Sequence, residues 1–121
     1  MTKNAIKDKS FKFAIEIVQL YKCLTEEKKE YVLSKQMLRS GTSIGANVIE
    51  AQQAQSKRDF LMKMNIALKE CSETKYWLEL LSATDYIRVD TKMQIYKNCI
   101  ELEKILTKIV KTTSADINDV L

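Results

Sequence analysis

This chain of 121 residues contains no proline and only two glycines, Gly41 and Gly45. Proline and glycine are the residues that most often end helices and form the tight turns between strands. A chain that lacks them almost throughout has few places where a helix must stop. We therefore expect an all-α protein with long helices, and the chain is long enough for one domain with its own core.

Apolar residues recur at three- and four-residue spacing along four segments, as in amphipathic helices. Thr25, followed by two glutamates, resembles an N-cap and predicts that the second helix begins there after a very short connection. Ser56 resembles the N-cap of a third helix that ends near Ala83. A fourth helix is predicted from about Asp90 to Lys111. Short connections make neighbouring helices antiparallel, which predicts an up-down-up-down four-helix bundle.

We expect this bundle to be one domain over residues 1–121, with ends that fray at about 1–8 and 113–121. The predicted core seams of the second, third and fourth helices consist of Leu33, Met37, Ile44, Val48, Ala51; Phe60, Met64, Ala67, Cys71, Thr74, Leu78, Leu81; and Ile95, Cys99, Leu102, Leu106, Ile109. Each glycine costs roughly 1 kcal/mol of helix stability relative to alanine. Two explanations are open for them: close approach of another backbone, or a local break in the helix.

A second stripe of the second helix is polar at the same spacing, and inward-facing polar groups need partners. If the second and third helices form an antiparallel pair, Glu50 faces Lys63, Ser43 faces Glu70, and Arg39 faces Glu73. The alternative is that these charges lie on the surface, and the stripe could face either the bundle core or a neighbouring subunit. The predicted polar network and assembly residues are Arg39, Ser40, Ser43, Asn47, Glu50, Asp59, Lys63, Glu70, Glu73 and Trp77.

The sequence excludes the common catalytic sites of helical bundles. It has no histidine, so neither a Ser-His-Asp site nor a Glu-x-x-His iron site can form. The segment Gly41–Gly45 lacks the Gly-Lys-Ser/Thr ending of a phosphate loop. Basic residues close to the glutamates favour ion pairs over a metal site. We expect no enzyme activity, catalytic residue, metal, cofactor or small-molecule substrate, and we expect the three cysteines (Cys23, Cys71, Cys99) to be buried thiols.

The formal net charge is +4, and the excess of basic residues lies in the first 55 residues. This bias is compatible with a polyanion partner, and also with an ordinary solvated basic face. Candidate phosphate contacts are Lys9, Lys12, Lys22, Lys57 and Arg58. Phe60, Tyr76 and Trp77 could stack on bases, although aromatic residues at helical spacing are more often core residues. No signal peptide or membrane span is evident, so we expect a cytoplasmic protein without membrane contact.

From about Phe11 to Leu81 the chain resembles the four-helix bundle proteins encoded in intervening sequences of bacterial 23S rRNA genes. The residues that carry the resemblance are Gln36, Arg39-Ser40, Thr42-Ser43-Ile44-Gly45-Ala46-Asn47, Glu50-Ala51, Ala54-Gln55-Ser56, Asp59-Phe60, Lys63, Asn65-Ile66-Ala67-Leu68-Lys69-Glu70, Glu73-Thr74 and Tyr76-Trp77-Leu78. Bundle periodicity alone does not account for the polar members of this set.

The resemblance implies an up-down bundle that assembles into a homo-oligomeric ring, a pentamer. It is similar in fold to the accessory protein of diversity-generating retroelements, which binds nucleic acid through a basic surface. The expected function is therefore non-enzymatic, non-specific binding of RNA or DNA by an oligomer. The alternative is a protein-protein scaffold, or an accessory subunit, without nucleic-acid binding.

Overall fold

The computed structural model describes the backbone of residues 2–120 and the side chains of residues 5–118. Its elements are α1 (Thr2–Glu26), α2 (Leu33–Gln52), α3 (Lys57–Ala83) and α4 (Val89–Val120). The all-α prediction is confirmed, since residues 2–120 contain no strand. None of the four helices, over the residues described, combines the length and apolarity needed to cross a bilayer.

The four helices pack side by side around one core. Each contacts the next helix along the chain, and α1 also contacts α4. The diagonal pairs, α1 with α3 and α2 with α4, do not pack together within the described part of the chain. Short connections at residues 27–32, 53–56 and 84–88 reverse the chain direction each time. The predicted up-down-up-down antiparallel four-helix bundle is confirmed.

The predicted seams form the core. All five seam residues of α4 are buried, and those of α2 and α3 are buried except Leu33 and Phe60, which pack against the core while remaining partly exposed. From α1, the buried stripe includes Phe13, Ile17 and Leu24. Burial of one such side chain stabilises a fold by roughly 1.5–3 kcal/mol, so these stripes are the main stabilising feature.

The predicted start of the second helix at Thr25 is wrong. Thr25 lies near the end of α1, where its hydroxyl donates to the carbonyl oxygen of Tyr21 at 3.0 Å. Glu30 caps α2 instead, because its carboxylate accepts from the backbone N–H groups of Leu33 at 3.0 Å and Ser34 at 2.6 Å. Threonine is a common cap, whereas a glutamate that reaches forward from the connection has no comparable sequence signal.

Three other helix boundaries lie close to their predicted positions, whereas the predicted end of the fourth helix at Lys111 is wrong. Ser56 caps α3 as predicted, since its hydroxyl accepts from the backbone N–H of Asp59 at 3.0 Å. α3 ends at Ala83, as predicted. α4 begins close to the predicted residue and continues past Lys111 to Val120. Fraying of the ends at about 1–8 and 113–121 is a statement about motion and stays a prediction. Met1 and Leu121, the outermost residues of these ends, lie outside the described residues.

Both glycines lie in an unbroken α2, which excludes the helix-break explanation. A Cβ atom added at Gly41 would lie 2.8 Å from Cγ1 of Ile17, so here α1 approaches through a side chain. A Cβ atom at Gly45 would lie 3.4 Å from the backbone oxygen of Ser10. Close backbone approach is therefore correct at Gly45 alone, and both glycines bring α2 close to α1.

Candidate functional site

The polar stripe of α2 faces α3 of the same chain. Arg39 donates hydrogen bonds to the carboxylates of Glu70, at 3.1 Å, and Glu73. The indole N–H of Trp77 also donates to Glu73, at 2.9 Å. The hydrogen bond from Arg39, followed by that from Trp77, lowers the pKa of the Glu73 carboxyl. The Arg39–Glu73 pair expected from the helix register is thus present.

Of the two other expected contacts between α2 and α3, the Glu50–Lys63 pair is present and the Ser43–Glu70 contact is not. Lys63 forms an ion pair with Glu50 at 3.0 Å. The expected contact between Ser43 and Glu70 does not form among the described side chains, because each has a different partner. The amide of Asn47 donates to the Ser43 hydroxyl at 3.0 Å, and Glu70 accepts from Arg39.

At the buried edge of this stripe, the hydroxyls of Ser40 and Thr74 lie 2.9 Å apart, and both residues are completely buried. Asp59, which is half-buried, belongs to the N-terminal cap of α3. The partners of the network lie within one chain, so its geometry fixes the register of α2 against α3. A further role in assembly stays a prediction.

The five candidate phosphate contacts do not form one cluster. Lys9 pairs with Glu101 of α4 at 3.3 Å, and Lys57 lies 4.0 Å from Asp116 of α4. These two lysines therefore lie beside α4. The other three are exposed elsewhere: Lys12 lies over the α1–α2 groove, Lys22 lies near the opposite end of α1, and Arg58 lies on the outer side of α3.

Four other lysines do form one surface, which sequence analysis missed. They lie along the outer side of α4 at spacings of seven, four and three residues, which place them on one face of a helix. All four are exposed. We call this surface the α4 lysine ridge, and it consists of Lys97, Lys104, Lys108 and Lys111. From first to last it extends about 21 Å along the helix.

The acidic residues of the same segment are paired with other helices. Glu101 pairs with Lys9 of α1, and Glu103 accepts from Lys75 of α3 at 2.9 Å. The hydrogen bond to Glu103 raises the pKa of Lys75. None of the ridge lysines forms an ion pair with another described side chain. The ridge is therefore a basic surface on a charge-balanced helix, and Lys9 offsets the charge of Glu101, the one acid among the described residues that lies between its lysines on this face.

This chain matches a known protein family over most of its length. The model of the 23S rRNA-intervening sequence protein family matches residues 2–108. The chain belongs to that family. The matched region contains α1, α2, α3 and most of α4, including three of the four ridge lysines. The family membership suggested by the sequence is thus confirmed.

A solved structure of the same family has the same fold. It is the crystal structure of a protein with unknown function from the S23 ribosomal protein family of Bacteroides thetaiotaomicron. The two chains are 57% identical, and the match covers 92% of this chain and 99% of the other, with a TM-score of 0.91. No curated protein matches this chain.

The chain described above, in addition to the ridge, has an apolar groove between α1 and α2. The groove has a volume of about 460 Å³, and Phe11, Ala14, Ala46 and Ile49 line it together with Gly45. Phe11 is 66% exposed and Ile49 is 46% exposed. Exposed apolar groups that lie together are typical of contact surfaces.

Among the described side chains, none is placed to activate a cysteine thiol. Cys71 and Cys99 are buried, as predicted, whereas Cys23 is only half-buried. Burial, followed by the charge of Glu27, raises the pKa of the Cys23 thiol. A hydrogen bond with Cys99, together with burial, raises the pKa of Cys71 well above its usual range. Reactive cysteines need the opposite shift. Within the described residues no group of acidic and sulfur ligands is placed to hold a metal ion.

The ridge did carry a sequence signal. Residues 85–121 contain six basic and six acidic residues, so the segment as a whole gave no excess charge. The three-four spacing of the lysines was visible, but the spatial partners of Glu101 and Glu103 were not. Whether this face of α4 is basic depends on the spacing of the lysines and also on the partners of Glu101 and Glu103.

Proposed function

We propose that this protein is a non-enzymatic nucleic-acid-binding protein that contacts the phosphate backbone of RNA or DNA through the α4 lysine ridge. Lys9 and Lys57 lie at the sides of the ridge, and each is paired with an acidic residue of α4. The observation that carries the proposal is the row of four exposed lysines, none of which forms an ion pair with an acidic side chain that the structure describes. Lysine is a compact, flexible charge that suits phosphate contacts without reading base sequence.

The proposal includes self-association. The exposed apolar residues of the α1–α2 groove offer surface whose burial favours contact between copies. The family resemblance suggests a ring, and a pentamer would present five ridges. Linked sites bind a long polyanion with much higher avidity than one site does, because the second contact is intramolecular.

A salt titration tests the binding. Fluorescence anisotropy with a labelled RNA hairpin should show an affinity that falls about 100-fold between 50 and 200 mM KCl, as expected for four phosphate contacts. The triple variant Lys104→Gln, Lys108→Gln, Lys111→Gln should reduce the magnitude of the salt slope by about 2 to 3. The matched control replaces three exposed lysines away from the ridge, Lys28→Gln, Lys35→Gln and Lys69→Gln. Equal effects of both triple variants would contradict a ridge-based contact.

A protein-protein scaffold is the second candidate, and the apolar α1–α2 groove favours it. Both candidates predict a groove-dependent oligomer, which light scattering coupled to size-exclusion chromatography detects and which Phe11→Ser and Ile49→Ser should disrupt. RNA retention at 50 mM KCl distinguishes them. A scaffold predicts a groove-dependent oligomer that does not retain RNA at 50 mM KCl. The nucleic-acid proposal predicts RNA retention that the ridge variants remove.

A further inference from the structure

A cavity lies beside the α4 lysine ridge, where the α2–α3 turn meets the C-terminal part of α4. Its volume is about 400 Å³, within the range of small-molecule sites. The turn, the first residues of α3 and the C-terminal part of α4 all contribute to its lining. Four of the lining residues follow residue 108, where the family match ends: Ile109, Thr112, Thr113 and Asp116.

The lining of this cavity combines three kinds of chemistry. Ala54, Phe60 and Ile109 provide apolar surface, and Phe60 adds an aromatic ring. Thr112 and Thr113 provide hydroxyl groups, which both donate and accept hydrogen bonds. A nucleobase matches this combination, because its flat faces stack on aromatic rings while its edges carry donors and acceptors.

Charge separates the cavity from the ridge. Asp116 lies 4.0 Å from Lys57, so its carboxylate offsets that charge, and the remaining cation of the cavity lining is Lys108 at the edge of the ridge. Lys108 lines the cavity and is also part of the ridge, which continues with Lys104 about 6 Å away along α4. A phosphate is therefore favoured along the ridge, and an uncharged ring is favoured in the cavity.

We propose that this cavity receives one unpaired nucleobase of a single strand whose phosphates follow the α4 lysine ridge. The inference rests on the proposed phosphate binding and adds the class of nucleic acid that is bound, which is single-stranded RNA or DNA. A base inside a duplex is stacked and paired, so it cannot enter without being extruded. Electrostatics alone would favour the duplex, which has the higher charge density. A preference for single strands over duplexes therefore indicates that the cavity contributes to binding.

The test compares a labelled 15-nucleotide single-stranded RNA with the duplex of the same sequence, by anisotropy at 50 mM KCl. The wild type should bind the single strand at least fivefold more tightly, since stacking of one base is worth roughly 5- to 150-fold. Thr112→Leu with Thr113→Leu fills the cavity without changing charge. This variant should lower single-strand affinity about tenfold and leave duplex affinity within twofold of wild type.

Thr91→Leu with Thr107→Leu is the matched control, because both threonines lie on α4 and neither lines this cavity. It should change neither affinity. Phe60→Leu is the second variant, which keeps apolar contact but removes the aromatic face, and it should also act on the single strand alone. Duplex binding equal to or tighter than single-strand binding would overturn the inference while leaving the phosphate-binding proposal intact. If Thr112→Leu with Thr113→Leu weakened single-strand and duplex binding alike, the inference would also be overturned and the phosphate-binding proposal would remain. Binding of neither RNA would overturn both.

Discussion

Lys9 of α1 and Glu101 of α4 form an ion pair at 3.3 Å on the face of the bundle that carries the α4 lysine ridge. Glu101 lies between Lys97 and Lys104 along that face, and it is the acidic residue that interrupts the ridge. Lys9 compensates its charge from the neighbouring helix. Because both side chains are about half exposed, the pair adds no more than about 1 kcal/mol to stability.

Replacement of Glu101 by glutamine should therefore strengthen RNA binding without unfolding the protein. The variant removes the acid from the ridge and frees Lys9 for a phosphate, so we expect affinity to rise about three- to tenfold at 50 mM KCl. The gain should disappear near 1 M KCl, where charges are screened over about 3 Å. Glu26→Gln, an exposed acid at the end of α1 and away from the ridge, is the control and should have a smaller effect in the same anisotropy assay. A weaker affinity of the Glu101 variant would contradict the ridge as a binding surface.

The two glycines of α2 should respond in opposite ways to alanine. Gly41→Ala introduces a Cβ atom 2.8 Å from Ile17, and we expect a loss of about 1–3 kcal/mol in the free energy of unfolding. Gly45→Ala meets only ordinary contacts from 3.4 Å outward, so the higher helix propensity of alanine should add up to about 1 kcal/mol. Urea unfolding measures both values. Ile17→Ala combined with Gly41→Ala should cost less than the sum of the single changes.

The buried hydroxyl pair should show energetic coupling. Thr74→Val removes the group that lies 2.9 Å from the Ser40 hydroxyl, and Ser40→Ala removes the other partner. Each single change should lower the free energy of unfolding by about 1 kcal/mol. The double variant should lose less than the sum by at least about 0.5 kcal/mol, since neither hydroxyl is then left without the other. Additive losses in a double-mutant cycle would show that the pair makes no specific contribution.

The Glu30 cap predicts a pH dependence of stability. Burial by itself would raise the pKa of this carboxyl, but hydrogen bonds from the backbone N–H groups of Leu33, Ser34 and Val32 outweigh it, and the pKa is lowered overall. The carboxylate therefore stabilises the fold fully above its pKa in the unfolded chain, about 4.3, and this contribution is lost as the pH falls through the lower folded value.

Glu30→Gln should lower the free energy of unfolding by about 1–2 kcal/mol at pH 7. The difference from wild type should stay constant down to about pH 5 and then shrink as the pH falls further. Urea unfolding at several pH values measures this difference. The exposed Glu27→Gln is the control and should show little change. A difference that grows at low pH would contradict the capping role.

Most of the fold could be predicted because its signals are local. The absence of proline and the apolar three-four spacing indicated four helices, and the seams from Met64 to Leu81 and from Ile95 to Ile109 are buried as the period requires. The antiparallel register also followed, since Arg39 with Glu73 and Glu50 with Lys63 pair at equal distances from the turn. The cap of α2 did not follow, because Glu30 acts through a loop conformation that no periodicity specifies.

The sequence by itself determined the helices, their core faces, their order and the family, because each depends on residue types at short spacing. Only the tertiary structure decided which face of the molecule is basic. Five acidic residues balance the five lysines of α4 when charges are summed along the chain, but in the bundle Glu101 and Glu103 pair with Lys9 and Lys75 of other helices. Electrostatic potential depends on distances in space, and the cavity beside Lys108 likewise forms only where three separate segments meet.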